Sequence, residues 1–307
     1  MPHTQTALYS TSKHLQADLL LLSVAIIWGS AFVVQRMVAS SSSVFLFNGL
    51  RFLLAGLILL PFVWIDRRKN LASLHPGRST WPGVALAGLL LTAGAALQQA
   101  GLRYTTAGNA GFITGLYVVL IPLIQAIIFK RAMRPTIWIA ALLATVGLFL
   151  LSTGGQLSFK GGDLLELAGA IFWALHVIWI GYLVTLMGGL QIAVGQYLVC
   201  GLASVGLSLL IEPAQAQGIL GAGWAILYTG IISVGLGYTL QIYGQKVAPP
   251  ADAAILLSME AVFAALFGWL FLYEALNAIQ LVGCGVMLAG MLLAQAGVIT
   301  KYSRVGS

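Results

Sequence analysis

The sequence predicts an all-α integral membrane protein of ten transmembrane helices, arranged as two inverted five-helix repeats. Three observations lead there: an apolar composition, the spacing of the apolar runs, and a match of the chain to itself. Of 307 residues, 60% are apolar and 7% charged, against roughly half and a quarter in a soluble domain. A span takes about 20 mostly apolar residues, so ten spans occupy about 200 positions and leave about a hundred for connections and tails. No soluble enzyme domain fits into that remainder.

Apolar runs between polar punctuation place helices 1 to 5 near 18–38, 44–64, 82–103, 107–129 and 135–152. Helices 6 to 10 follow near 164–186, 190–210, 221–244, 251–273 and 277–299. The runs are twice as long as a spanning strand needs and do not alternate apolar with polar, so they read as helix. Residues 1–17 and 300–307 read as tails, and the run from Asp18 is too long for the core of a cleaved signal peptide.

Ten spans put both ends of the chain on one side. That side carries Lys13, Arg67, Arg68, Lys69, Arg78, Lys130, Arg131, Arg134, Lys246, Lys301 and Arg304, and the other only Arg36, Arg103 and Lys160. Eleven against three predicts cytoplasmic termini in a plasma (bacterial inner) membrane. The net charge of +7 thus encodes orientation, not a groove for nucleic acid. Trp64, Trp81, Trp138 and Trp224 fall near helix ends as interfacial anchors, and Gly111 with Gly115 forms a close-packing step. Cys200 and Cys284 lie inside apolar segments as small packing residues.

The self-match begins with Asp18 to Trp28, which recurs as Asp163 to Trp173 at a displacement of 145 with seven of eleven positions identical. At 145, Arg51 to Leu57 faces Gln196 to Leu202; at 143, Leu97, Gln98 and Gly101 face Leu240, Gln241 and Gly244. The first repeat spans 18–152 and the second 163–299. Five helices is an odd number, so the second copy enters the membrane from the opposite side. Repeats related in this way can exchange conformations and open a central cavity to either side in turn.

The stretch Ala25 to Phe32, Arg51-Phe52, the run Thr106 to Tyr117 with Pro122, and Leu256 to Leu266 continuing to Tyr273-Glu274 together resemble the EamA-type repeats of the drug/metabolite transporter superfamily, over about 18–295. More narrowly, the chain is similar to the YddG-type amino-acid exporters. The resemblance implies a cavity between the repeats and export of small metabolites, amino acids foremost, by alternating access. Two departures stand out: Lys130-Arg131 replaces an acidic residue often found near the end of helix 4, and Ala261 replaces a proline after Glu260. Helix 1 lacks the mid-span carboxylate on which four-helix multidrug exporters rely.

Candidate residues for the substrate pathway are Trp28, Tyr117, Trp173, His176, Tyr238 and Glu260. Trp28 and Trp173 are repeat mates ten residues into their helices, roughly 15 Å deep, and therefore not interfacial. Walls of this kind suit varied side chains and cations, although they would equally serve core packing. Glu260 lies near the bilayer middle, where a bare carboxylate costs about 2.5–3.5 kcal/mol. It is either a site for a substrate ammonium or a proton, or a hydrogen bond between helices. Arg51 is the other intramembrane charge, able to bind a carboxylate or to brace a peripheral helix 2. Gln98 and Gln241 are mates placed by inversion near opposite faces, as gates would be. Pro122 should kink helix 4. Asp18, Asp163, Glu166 and Asp252 read as carboxylates at the positive ends of helices.

The chain has no Walker loop, metal-ligand motif or nucleophile elbow. Hence no catalytic residue, metal or cofactor is expected. The expected partners are a small-molecule substrate and the lipid bilayer, the molecule acting as a monomer. A sugar-phosphate, nucleotide-sugar or drug carrier of the same fold is the alternative reading, and a channel or membrane enzyme a more distant one. Phosphate would want several cationic groups in the cavity, and only Arg51 is present.

Overall fold

A computed structural model describes residues 2–69, 80–153, 161–212, 216–273 and 276–305. Arg78, Lys160 and Glu274, used above, lie outside the described residues, as do positions 1, 306 and 307 of the expected tails. Among the described residues the chain is helical, in ten segments and a short 3-10 turn, Ala216–Ile219. Helix 1 is Pro2–Val38, helix 2 Val44–Lys69, helix 3 Trp81–Gly101, helix 4 Ala107–Ile127 and helix 5 Pro135–Thr153. Helix 6 is Gly161–Leu183, helix 7 Gly189–Ile211, helix 8 Gly223–Gln245, helix 9 Pro250–Leu272 and helix 10 Ala278–Val305. Eight of these are long and apolar enough to cross a membrane; helices 5 and 10 contribute shorter apolar stretches, Pro135–Leu151 and Ala278–Ala294.

Two expectations change at helix 1. The stretch read as a polar tail continues the helix back to Pro2, and Asp18 therefore lies well inside the helix rather than in its first turn. A polar extension with helical spacing has no local reason to stop before the apolar run, because nothing before Asp18 breaks a helix except Pro2 itself.

The helix pairings map onto one another when the repeats are exchanged. Helix 3 packs on helix 6 and helix 8 on helix 1; helix 3 on helix 7 and helix 8 on helix 2; helix 4 on helix 6 and helix 9 on helix 1. Helices 2 and 7, 4 and 9, and 5 and 10 pair with their own mates. Glycines set these close approaches in matched pairs. A Cβ on Gly56 would meet Leu198 at 2.9 Å, and one on Gly201, its mate, would meet Leu53 at 2.7 Å. Gly147 and Gly283 face each other so closely that a Cβ on either would meet the other's carbonyl oxygen at 2.6 Å. Small residues do this work because lipid tails give apolar helices no hydrophobic reason to associate, leaving van der Waals fit as the main attraction.

The loops tie each end of the bundle together. At the end away from the termini, Arg103 donates to the carbonyls of Ala39 and Ser42 at 3.0 and 2.7 Å. There Glu212 accepts from the Ser43 hydroxyl and from the Phe45 amide, satisfying the start of helix 2 from the end of helix 7. At the terminal end, Arg134 forms an ion pair with Asp252 in the first turn of helix 9. Trp64, Trp81, Trp138 and Trp224 are all exposed near helix ends, as anchors at a lipid interface require.

Candidate functional site in the central cavity

Helices 1, 2, 3, 4, 6, 8 and 9 enclose a cavity of about 480 Å³ of space between atoms, part of it open to solvent. All six residues expected on the substrate pathway line it: Trp28, Tyr117, Trp173, His176, Tyr238 and Glu260. Gln98, Gln241 and Arg51 line it too, so helix 2 is not peripheral.

The two tryptophans are held by equivalent devices. A Cβ on Gly94 would meet Trp173 Cε2 at 3.0 Å, and one on Gly237, the mate of Gly94, would meet Trp28 Nε1 at 2.7 Å. Each indole therefore presses against a helix where only glycine leaves room. The polar edges differ. Trp28 Nε1 donates to the Ser233 carbonyl at 3.2 Å, whereas the buried Trp173 Nε1 has no hydrogen-bond partner. Helix 8 winds as a π-helix over Thr229–Tyr238, which displaces carbonyls from the regular ladder and puts one within reach. Helix 3 stays α-helical, and the position mated to Ser233 is Leu90 in that regular ladder.

Tyr238 sits among these rings, its centroid 4.6 Å from Trp28 and 6.0 Å from Trp173. His176 meets both Trp173 and Tyr238 edge-on at 6.3 and 6.1 Å. Its Nε2 hydrogen-bonds Gln196 Oε1 at 2.9 Å, and its Nδ1 has no partner. The result is an aromatic wall with unused polar atoms along it.

Two opposite charges share the cavity. Arg51, 3% exposed, donates from Nη1 to Gln35 Oε1 at 2.8 Å and stacks its guanidinium over Phe47 and Phe52 at 5.3 and 5.2 Å. Its Nε has no partner, and among the described residues no carboxylate reaches it. Glu260, 2% exposed, accepts from the Tyr117 hydroxyl at 3.0 Å and has no cationic partner among the described residues. At a displacement of 143 Tyr117 and Glu260 are themselves repeat mates, so this hydrogen bond lies across the pseudo-two-fold axis.

Helices 4 and 9 break where these two side chains emerge. Helix 4 divides into Ala107–Gly115 and Tyr117–Ile127, helix 9 into Pro250–Leu257 and Glu260–Leu272. At the breaks Leu116 bonds back to Ile113 and Met259 to Leu256, three residues rather than four. The break in helix 4 lies at Leu116, six residues before Pro122, and helix 9 breaks at the mated position Met259 with no proline inside it.

Gln98 lies near the end of helix 3 away from the termini and Gln241 near the terminal end of helix 8. Gln241 donates to Gln245 at 3.0 Å, and Gln245 to the Val177 carbonyl at 2.9 Å. Among the expected helix-start carboxylates, Asp163 is in the first turn of helix 6 and accepts from Thr105 at 2.8 Å. Glu166 is different: it is fully buried and accepts from Thr114 on helix 4 at 3.2 Å, so it does not act as an exposed cap.

Three polar residues lining the cavity have no place among the sequence candidates: Gln35, Thr114 and Ser233. Gln35 follows Trp28 by two turns and Thr114 precedes Tyr117 by one, so helical spacing could have found both. Ser233 acts through a carbonyl freed by π winding, which leaves no mark in the residue pattern.

The EamA-like transporter family model matches the chain twice, over residues 15–153 and 160–295. The chain belongs to the EamA-like transporter family. It is 33% identical over 284 residues to an uncharacterized transporter of Archaeoglobus fulgidus, covering 92% of this chain and 86% of the relative. It is 28% identical over 283 residues to the uncharacterized inner membrane transporter YedA of Escherichia coli K12, covering 90% of each. A crystal structure superimposes with a TM-score of 0.74 at 19% identity, covering 95% of this chain and 99% of that one, a likeness of fold alone. The chain is thus an integral membrane transporter and not an enzyme, with a small-molecule substrate.

Proposed function

We propose that this EamA-family protein exports amino acids, or zwitterionic metabolites of similar size, from the cytoplasm by alternating access of its two repeats, as a monomer with both termini cytoplasmic. The observation that carries this reading is that Arg51 and Glu260, ionisable groups of opposite sign with no counter-charge among the described residues, line one aromatic-walled cavity. A guanidinium and a carboxylate held there only by neutral partners, Gln35 and Tyr117, are costly in their charged forms. A zwitterion neutralises both: its carboxylate accepts from Arg51, its ammonium donates to Glu260, and its side chain lies against Trp28, Trp173 and Tyr238. The unpartnered edges of Trp173 and His176 would complete the polar contacts. A sugar phosphate would leave Glu260 facing like charge, and one guanidinium offers little for a dianion.

Full-length protein in liposomes tests this directly. Vesicles loaded with labelled L-phenylalanine should show saturable efflux, slowed at least tenfold when either the amino or the carboxyl group is removed from the substrate. Efflux of sugar phosphates without amino acids, or no flux for any class, would overturn the reading.

A further inference from the structure

Glu166 is a second buried carboxylate that the cavity chemistry does not use. It is fully buried on helix 6 near the end of the bundle away from the termini. Its Oε2 accepts from Thr114 and its Oε1 has no partner. Room for it comes from Gly101, where a Cβ would stand 2.6 Å from Oε1. The mated contact in the other repeat is Leu21 against Gly244, at 2.8 Å. Leucine thus does the packing there, and fit alone does not explain a carboxylate at 166.

Among the described residues, the groups around it do not supply a counter-charge. On its own helix Asp163, one turn away, is acidic and takes the Thr105 hydroxyl. From helix 4 Thr114 donates to it, and from the end of helix 3 the backbone of Gly101 packs against it. Arg103, the nearest basic residue in that connection, directs its guanidinium to the Ala39 and Ser42 carbonyls. One hydroxyl and a crowded glycine are too few oxygens for a metal cation, which takes six or more at calcium sites. A proton needs no more than the vacant Oε1.

We infer that Glu166 is a proton-binding site whose occupancy controls the helix 4–helix 6 contact on that side of the cavity. Thr114, its partner, itself lines the cavity, and Tyr117 one turn further on bonds Glu260, so one face of helix 4 reaches both buried carboxylates. Hydronium gives its proton to Oε1 when this side opens and water takes it back when the site is next exposed; no other bond is made or broken. Ionised, Glu166 holds Thr114; neutral, it releases a charge-assisted hydrogen bond and loosens the closure.

The test needs no transported substrate, so it stands or falls apart from the amino-acid reading. Full-length protein in liposomes is treated with a carbodiimide, which reacts with protonated carboxyls in apolar sites, and the adduct at 166 is mapped by mass spectrometry. It should form at least fivefold faster at pH 5.5 than at pH 8.5. In a C200A/C284A background, a thiol introduced by Q98C should change its reactivity to an impermeant reagent at least threefold across the same range. E166Q should remove that pH dependence, and E166L, which installs the residue of the mated site, should do the same if E166Q fails to fold. No adduct at any pH, or an unchanged pH dependence in a folded E166Q or E166L variant, would overturn the inference.

Discussion

The two repeats use the same glycine devices for different ends. Gly94 with Trp173 and Gly237 with Trp28 are one contact made twice, as are Gly101 with Glu166 and Gly244 with Leu21. In each pair one copy is closed within the protein: Trp28 has its carbonyl and Leu21 needs nothing. The other copy is left open, with Trp173 Nε1 and Glu166 Oε1 both unpartnered. Duplication supplied a symmetric frame, and departures from symmetry mark where chemistry was added. Buried polar atoms without partners are costly, and those on helix 6 at Trp173, His176 and Glu166 stand where the first repeat has Trp28, Ala31 and Leu21.

The sharpest way to break this comparison is at the charges. Arg51→Gln and Glu260→Gln should each weaken amino-acid affinity about 10- to 100-fold, the worth of a charge-assisted hydrogen bond of roughly 1.5–3 kcal/mol. Each variant should cease to discriminate substrates that lack the group it contacted, read as binding of L-phenylalanine against its decarboxylated and deaminated analogues. Flux carried on Glu260 should also fall as the medium is acidified, because a protonated carboxyl loses its attraction for ammonium, and Glu260→Gln should flatten that profile.

Next come the glycine seats. Gly237→Ala pushes Trp28 away from the carbonyl it bonds, so it should lower stability by about 1–3 kcal/mol, the usual cost of overpacking, seen as a drop in Tm in detergent. Gly94→Ala meets a wider 3.0 Å gap and no hydrogen bond to lose, and should be milder in Tm while altering substrate affinity. A smaller effect separates the indoles themselves. Trp28→Phe forfeits a satisfied hydrogen bond worth about 0.5–1.5 kcal/mol, whereas Trp173→Phe forfeits none within the protein and should show its loss in affinity. Pro122→Ala should matter least, by under about 1 kcal/mol, because helix 9 bends at the mated position without proline.

Most of the frame was legible in the residues because membrane spans leave coarse traces: long apolar runs, basic loops, and repeat mates at 145 and 143. The residues that line the cavity were legible for the same reason, since a tryptophan or glutamate at mid-span is conspicuous. What escaped was whatever depends on backbone winding or on a neighbour's absence. The π segment of helix 8 and the carbonyl it gives Trp28 have no residue signature. The break at Leu116 leaves no mark in the residues, because neither it nor its mate at Met259 falls at a proline. Glu166 reads as a helix-start carboxylate because it follows Asp163 of the first turn; its contacts with Thr114 and Gly101 reveal its burial. Arg51 was assigned to a peripheral helix because helix 2 follows a polar loop, while the packing of helices 2 and 8 brings it to the cavity.

The claim on which the rest depends is that the inverted repeats open one cavity to opposite sides in alternation. It is tested by single thiols introduced with Q98C and Q241C in the C200A/C284A background and labelled with an impermeant reagent from one face of the membrane at a time, with and without L-phenylalanine. The account expects Q98C to react from the side away from the termini, Q241C from the terminal side, and substrate to move the two reactivities in opposite directions. Both thiols reacting from the same side, or rising together, would contradict it.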